Sequence, residues 1–313
     1  MNERVYERCD FHTHTRASDG SETPTELLRR AAANKVVCLA VTDHDTIDGV
    51  AEARDAGARA GVEVLAGIEL SVNEADGVRT LHVLGLGLDD GHPALRARLA
   101  ELRSSRESRA ARIVGHLRAA GIALELAAVE AHARGGSVGR PHVARALVDA
   151  GAARDVEDAF ARWLRRGRPG YEPNAALSAR EAIALVHAAG GVAVLAHPPL
   201  SGGIDAPGGL DAFVERLVPL GLDGLEVWHP NHKPAQTRRL RRLAETHALL
   251  ETGGSDFHGA DRPEIDVGRG RAGKLCVGRD VRDALEARLA ARRAQATAEL
   301  TLAVSGSNLA RPV

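Results

Sequence analysis

Short apolar runs rich in valine, leucine and isoleucine alternate along this chain with longer Ala/Leu/Arg segments whose apolar positions recur at helical spacing. The first kind predicts strands at 5–11, 36–42, 62–68, 80–86, 191–196, 224–228 and 249–252. The second predicts amphipathic helices between most of them. One covers 25–34 behind Pro24, a favourable first-turn residue; another, 48–61, closes on Gly61; a third, 179–189, has Ser178 as its N-cap and Gly190-Gly191 as its stop. Such alternation is the signature of an α/β protein built as a β/α barrel or a related parallel sheet. Seven runs, one fewer than the eight of the common barrel, predict a distorted seven-stranded (β/α)7 barrel.

One connection is too long for that pattern. Between 91 and 170 no run reads as a strand, and helices are predicted at 93–120, 124–132, 142–150 and 156–166. The chain therefore divides into a first barrel part (1–90), an all-helical insertion or cap (91–170), a second barrel part (171–300) and a weakly structured tail (301–313). Charge sharpens the division. Residues 96–170 hold 15 arginines, no lysine and 8 acidic residues, a surplus of 7 positive charges, whereas the whole chain carries −1 and the remainder is near −8. Many of these arginines belong on a solvated helical face, but the asymmetry predicts a basic cap over an acidic mouth, where an anionic substrate would settle.

With 313 residues, 44% of them hydrophobic and 27% charged, the chain can build the core of one large or two moderate domains. No apolar run approaches the roughly 20 residues of a membrane helix, and the first ten residues lack the pattern of a signal peptide, so a cytoplasmic protein is expected. Cys9, Cys38 and Cys276, odd in number and widely spaced, suit neither a disulfide framework nor a cysteine-based zinc site and are expected to be structural. Aromatic residues are only 3%, so any stacking surface must come from a few side chains such as Tyr171, Trp163 and Trp228.

Ligand-type side chains recur where the strands end. His12 and His14 follow the first strand on alternate residues, so an extended backbone points both imidazoles the same way, and Asp19 lies on the loop beyond. Asp43-His44-Asp45 follows the second strand and Glu69 the third; His82 opens the fourth; His197, His229 and Asp256-Phe257-His258 follow the fifth, sixth and seventh. In a barrel the carboxyl ends of the strands form one face, which makes neighbours of residues far apart in sequence. A lone histidine beside a proline is more often a packing or capping residue; their joint recurrence on one rim favours a metal site. Nitrogen and oxygen donors without sulfur suit Mn²⁺, Fe²⁺ or Zn²⁺ better than Mg²⁺ alone. Asp10, Asp43 and Asp45 flank these residues and are expected to fix imidazole tautomers.

The motifs DFHTHTRASDG, TDHDT, GIELS, HVLGLG, GRPHVA, AHP and GSDFHG, in this order between residues 9 and 259, resemble those of the PHP (polymerase and histidinol phosphatase) phosphoesterases. The likeness is to the stand-alone branch of nucleoside 3′,5′-bisphosphate phosphatases and 5′-to-3′ exoribonucleases, and it implies a distorted seven-stranded barrel with a helical insertion. It implies two or three divalent metals, manganese favoured: one held by His12, His14, Glu69 and Asp256, a second by Glu69, His82 and His197, a third by Asp19, His44 and His258. In-line attack on phosphorus by a hydroxide shared between metals would follow, with the third metal, or His229 as an acid, serving the leaving alkoxide. Arg140 and His142 of GRPHVA would grip phosphate at a helix start or else merely cap that helix; Trp228, placed on the same rim, would stack on a base or else close the barrel core.

The implied substrate is a phosphorylated nucleotide or a short 5′-phosphorylated RNA, without a membrane or an obligate protein partner. The alternatives are a histidinol-phosphate or other small-molecule phosphatase, and a non-catalytic PHP accessory module. The latter predicts eroded ligand positions, and here every one is filled.

Overall fold

Buried valine, leucine and alanine along the apolar runs gather seven strands into one sheet, in a computed structural model that describes residues 7–73, 80–173, 176–200 and 208–307. β1 (Arg8–Asp10) is followed by α1 (Pro24–Ala33), β2 (Val36–Val41), α2 (Val50–Ala60), β3 (Glu63–Asn73) and β4 (Thr80–Leu86). Four helices come next: α3 (Pro93–Ala119), α4 (Leu126–Ala133), α5 (Arg140–Asp149) and α6 (Val156–Ala159), the last running into a π-helical turn at Phe160–Leu164. The chain returns through α7 (Ala179–Ala188), β5 (Val192–Leu195), α8 (Gly209–Leu217), β6 (Gly224–Trp228), α9 (Pro234–Thr246) and β7 (Leu250–Gly253). A small ribbon, β8 (Ile265–Asp266) with β9 (Gly270–Arg271), precedes α10 (Arg279–Ser307). Helix starts are chemically specified: in α1 and α7, Thr23 with Glu26 and Ser178 with Glu181 exchange reciprocal hydrogen bonds.

The sheet order is β1-β2-β3-β4-β5-β6-β7, parallel except that β4 runs antiparallel to both neighbours. The fold is thus α/β with a mostly parallel sheet, and the parallel fourth strand expected from the sequence is replaced by the second arm of a hairpin. β3 extends to Asn73, five residues past its predicted end, because Leu70 and Val72 are fully buried while Ser71 pairs with His82 across the ladder. Reversal of β4 has a positional consequence: its early residue His82 arrives at the rim that the parallel strands reach with their last residues. β1 and β7 meet without a ladder. Phe11 N–H donates to Gly253 O at 3.1 Å, and Thr13 pairs with Phe257 as an isolated parallel bridge. Gly254 permits the approach, since a Cβ there would lie 2.3 Å from that of His12.

One apolar core lies between the sheet and α3, α7, α8 and α9; another joins Cys9, Phe11, Leu84, Val194 and Leu250 to Val281, Leu285 and Leu289 of α10. The inserted helices have a core of their own, including Ile113, Leu117, Val143, Leu147 and Leu164. α3 serves both: Leu95, Leu99 and Leu102 pack on the sheet's core, while Ile113 and Leu117 belong to the core of the inserted helices. Trp228 packs against two cores instead of facing a ligand, the common fate of tryptophan at the end of an apolar strand. Cys9 and Cys38, register partners on β1 and β2, are buried, and Cys276 is exposed. The tail expected from 301 is helical as far as Ser307, where it continues α10; positions 308–313, like 5–6 of the first predicted strand, lie outside the described residues. No helix among the described residues is long and apolar enough to cross a membrane.

Asp223, buried just before β6, ties three elements together. It accepts from Ala193 N–H at 2.9 Å, from His187 Nε2 at 2.8 Å and from Arg292 Nη2 at 2.6 Å. Burial works against its charge, but the hydrogen bonds from His187 and Arg292 hold its pKa below the ordinary aspartate value. Asp223→Asn is expected to destabilise the protein by about 2 kcal/mol at pH 7, measured by urea denaturation. Because the folded pKa is the lower one, the wild-type advantage should be complete above the unfolded aspartate pKa and disappear as pH falls through the folded value.

Candidate metal centre

The segment after β1 is fastened before it presents its imidazoles. Thr13 donates its hydroxyl to Ala40 O at 2.7 Å and its N–H to Thr42 Oγ1 at 3.1 Å, which fixes the extended backbone from which His12 and His14 project. Asp43 holds the following turn, accepting from Thr15 N–H (2.7 Å), Thr15 Oγ1 (2.7 Å) and Ser18 Oγ (2.6 Å). Asp10 accepts from the backbone N–H of Ser255 and Gly268, and Asp45 from Ser71 N–H and the Arg106 guanidinium. None of the three contacts an imidazole, so the expectation that they fix tautomers is corrected: they anchor the loops that carry the histidines, because backbone N–H groups at strand ends are the nearest unsatisfied donors.

At the centre lies Glu69, 1% exposed, among five imidazoles. Its Oε1 is 2.7 Å from His82 Nδ1 and 3.0 Å from His197 Nε2; its Oε2 is 3.1 Å from His44 Nδ1, 3.2 Å from His14 Nε2 and 3.3 Å from His12 Nε2. Asp256 Oδ1 lies 3.3 Å from His14 Nε2 and 3.6 Å from His12 Nε2, and Asp19 Oδ1 lies 3.4 Å from His258 Nε2. Four overlapping groups have donor atoms within 4.8 Å of one another: His14, Asp19, His44 and His258; His12, Glu69 and His197; His12, His14 and Asp256; His44, Glu69 and His82. Between them they contain all nine positions at which the sequence placed metal ligands.

The donor chemistry fits divalent cations. His12 Nε2, both ring nitrogens of His14, His44 Nδ1, His82 Nδ1 and Glu69 Oε2 are buried and lack hydrogen bonds. An unsatisfied buried polar atom costs about 1–3 kcal/mol, and cations shared among these atoms would satisfy all of them at once. Burial opposes ionisation of Glu69 and Asp256, yet the surrounding imidazoles hold both carboxyls well below their ordinary range. Burial pushes the His44 ring down to about 3, whereas at His14 the nearby Asp256 and Glu69 carboxylates outweigh burial and raise it to about 10. Asp45, His197 and Asp256 have positive φ (52°, 30° and 51°), and backbone strain of this kind, about 1–3 kcal/mol per residue, persists where surrounding contacts over-determine it.

Glu226 was not anticipated. It is fully buried on β6, with Oε1 3.0 Å from His12 Nδ1 and Oε2 accepting His197 N–H at 2.7 Å. Burial would raise its pKa, but His12 brings it down to about 2. A carboxylate on Nδ1 orients His12 and presents Nε2 to the cluster. The sequence signal was an acid inside the apolar run Gly-Leu-Glu-Val-Trp.

A cleft of about 450 Å³ is lined by His44, Glu69, His82, His197, Asp256 and His258, and by Arg106, Arg109, Arg140 and Arg262. Three of the guanidiniums are engaged: Arg106 with Asp45 and Ser71, Arg109 with Glu172 O, Arg262 with Asp256 Oδ2 at 2.7 Å. Arg140 has no carboxylate partner among the described residues; its guanidinium lies over the Phe160 ring, 5.8 Å from the centroid. Burial, with mutual repulsion among these cations, lowers Arg140 and takes Arg109 down to about 9, a strain that a bound anion would relieve.

Two expectations are corrected. His142 does not line this cleft: it sits at the third position of α5, 1% exposed, and its Nδ1 accepts Gly139 N–H at 3.0 Å, so it caps the helix that Arg140 begins. His229 has no exposed side-chain surface and does not line the cleft; Nδ1 accepts Asn231 N–H at 3.2 Å and Nε2 faces Asp256 Oδ2 at 3.4 Å.

A carboxylate-centred imidazole cluster opening into a guanidinium-lined cleft is the equipment of a metal-dependent phosphoesterase, and comparison with known proteins agrees. The PHP domain model matches residues 10–98. The chain is 39% identical over 264 residues to the 3′,5′-nucleoside bisphosphate phosphatase of Chromobacterium violaceum, covering 83% of this chain and 90% of that protein. It is 37% identical over 262 residues to the 5′-3′ exoribonuclease Rnm of Escherichia coli, covering 83% and 88%. A Bifidobacterium adolescentis structure assigned to the metal-dependent phosphoesterases superposes with a TM-score of 0.80 at 34% identity, over 90% of this chain and 96% of that one. The protein is a metal-dependent phosphoric ester hydrolase. It belongs to the PHP family.

Replacing Glu226 with glutamine should leave the protein folded and weaken divalent-cation binding by roughly 10–100-fold. Metal content after dialysis reads this directly; unchanged content would show that His12 needs no carboxylate behind it.

Proposed function

We propose that this enzyme removes the 3′-phosphate of nucleoside 3′,5′-bisphosphates, leaving the 5′-monophosphate, and trims short 5′-phosphorylated RNA from its 5′ end. Both reactions break one kind of bond, between O3′ and phosphorus: water supplies the oxygen added to phosphorus, and O3′ leaves with a proton. The observation that carries the reading is Arg140, without a carboxylate partner among the described residues, in the same cleft as the Glu69 cluster. One phosphate would lie at the cluster while a second, on the same nucleotide, meets Arg140. A simple phosphomonoester such as histidinol phosphate has no second anion for that guanidinium. The names of the Chromobacterium and Escherichia relatives point the same way.

His12, His14, Glu69 and Asp256 would hold one cation, Glu69, His82 and His197 a second, and Asp19, His44 and His258 a third, Mn²⁺ being favoured by the mixed donor set. Bound divalent cations supply Lewis-acid stabilisation of phosphoryl oxygens and make water acidic enough to lose a proton near neutrality. The chain's own residues do the rest. Glu226 orients His12, and Arg262 occupies Asp256 Oδ2 and leaves Oδ1 turned to His12 and His14. Arg140, begun on a helix start that His142 caps, is placed to fork onto the substrate's 5′-phosphate. We read the sheet as a distorted barrel, residues 91–170 as its cap and 1–90 with 171–300 as its two parts, since the arginines of α3 and α5 lie over the acidic cluster.

Purified protein with Mn²⁺, given adenosine 3′,5′-bisphosphate, histidinol phosphate and a 5′-phosphorylated RNA trimer in parallel, should release phosphate from the first and AMP from both nucleotide substrates. Turnover of histidinol phosphate alone would sink the reading. Arg140→Ala should lower kcat/KM for the bisphosphate roughly 10–100-fold while metal content stays at the wild-type level.

A further inference from the structure

The cleft has an apolar side that neither metal binding nor phosphate recognition uses. Leu200, just after β5, is 49% exposed, the exposed large hydrophobic side chain among the described residues, and it lines the cleft together with Phe160 and Pro141. An exposed leucine and an aromatic ring lining the same, otherwise charged cleft mark it as able to receive an apolar or flat group as well as phosphate. Phe160 is held there by backbone geometry. The sequence predicts an unbroken α-helix over 156–166, but α6 gives way to a π turn in which Arg165 N–H donates to Phe160 O at 2.9 Å. Ala159 and Leu164, on either side, are fully buried in the cap's own core, and Phe160, partly buried against that core, also lines the cleft. π turns are rare and concentrate at functional sites.

We propose that Phe160 and Leu200 form the wall that receives the nucleobase of the substrate, Phe160 by stacking and Leu200 by apolar contact. This rests on the nucleotide reading above and adds the part of the substrate that reading leaves unplaced. Arg140 lies over the Phe160 ring, so the group that meets the phosphate and the group that meets the base are held in contact with each other. A phosphorylated nucleoside would then be bound at both ends, and base identity would matter little, because every base has a face to stack. Sequence reasoning looked for stacking at Tyr171, Trp163 and Trp228; none of these lines the cleft.

Ribose 3,5-bisphosphate, which keeps both phosphates and lacks the base, separates the base wall from everything else. In Mn²⁺-loaded wild-type enzyme, kcat/KM for adenosine 3′,5′-bisphosphate should exceed that for ribose 3,5-bisphosphate by tenfold or more, of the order that base stacking supplies. Phe160→Ala should cut this ratio by about tenfold with the ribose value held constant; Leu200→Ala should lower it in the same direction, and Phe160→Trp should preserve it. An unchanged ratio in both alanine variants overturns the proposal. So does an equal fall for both substrates in Phe160→Ala, which would mean that the ring acts only through Arg140 or the cap's folding. Either result leaves the phosphatase reading standing, whereas wild-type enzyme that ignores adenosine 3′,5′-bisphosphate removes both.

Discussion

Glu69 is a carboxylate with five imidazoles around it and almost no water, and the architecture can be understood as the means of keeping it there. Burying one ionised group unpaired is costly; burying a whole set of donors is tolerable only when they face one another closely enough to share charge. That requirement reaches outward. His12, His14, His44, His82, His197 and Asp256 must come from the ends of different strands, and their backbones must be held still. Asp10, Asp43 and Asp45 do the holding by accepting backbone N–H groups, and Glu226 sets His12 from behind. Positive φ at His197 and Asp256 is conformational energy spent on the same end.

The sheet's departure from uniform parallel order serves that cluster. A parallel β4 would bring its last residues to the rim and carry His82 to the opposite end. Turned around by the β3–β4 hairpin, it brings His82 beside Glu69, two register positions away across the ladder. The opposite end of the sheet has no such task and is filled with the apolar residues of α10, pinned by Arg292 on Asp223.

The inserted helices divide the labour differently. Three of their arginines, Arg106 and Arg109 on α3 and Arg140 on α5, line the cleft that also holds Asp19, Glu69 and Asp256. Opposite fields on the two walls suit a substrate whose phosphates must be held at more than one point, while α3, packed into two cores, fixes the distance between the walls.

Much was legible in the sequence because it is local. Alternating apolar runs gave seven strands, end signals gave boundaries of α1, α2 and α7, and the nine ligand-type residues stood out by recurring beside the ends of apolar runs. What stayed hidden depends on partners distant along the chain. Glu226 looks like a stray acid in a strand until His12 is seen 3.0 Å away; His142 and His229 look like chemistry until Nδ1 of each is found accepting a backbone N–H, from Gly139 and Asn231. Strand direction for β4, the π turn at Phe160 and the burial of Trp228 were likewise decided by packing. Residue type and spacing determine which side chains are able to bind a cation or an anion. Only the tertiary structure decides which of them point at a common centre, because direction is set by pairing and burial that no local pattern encodes.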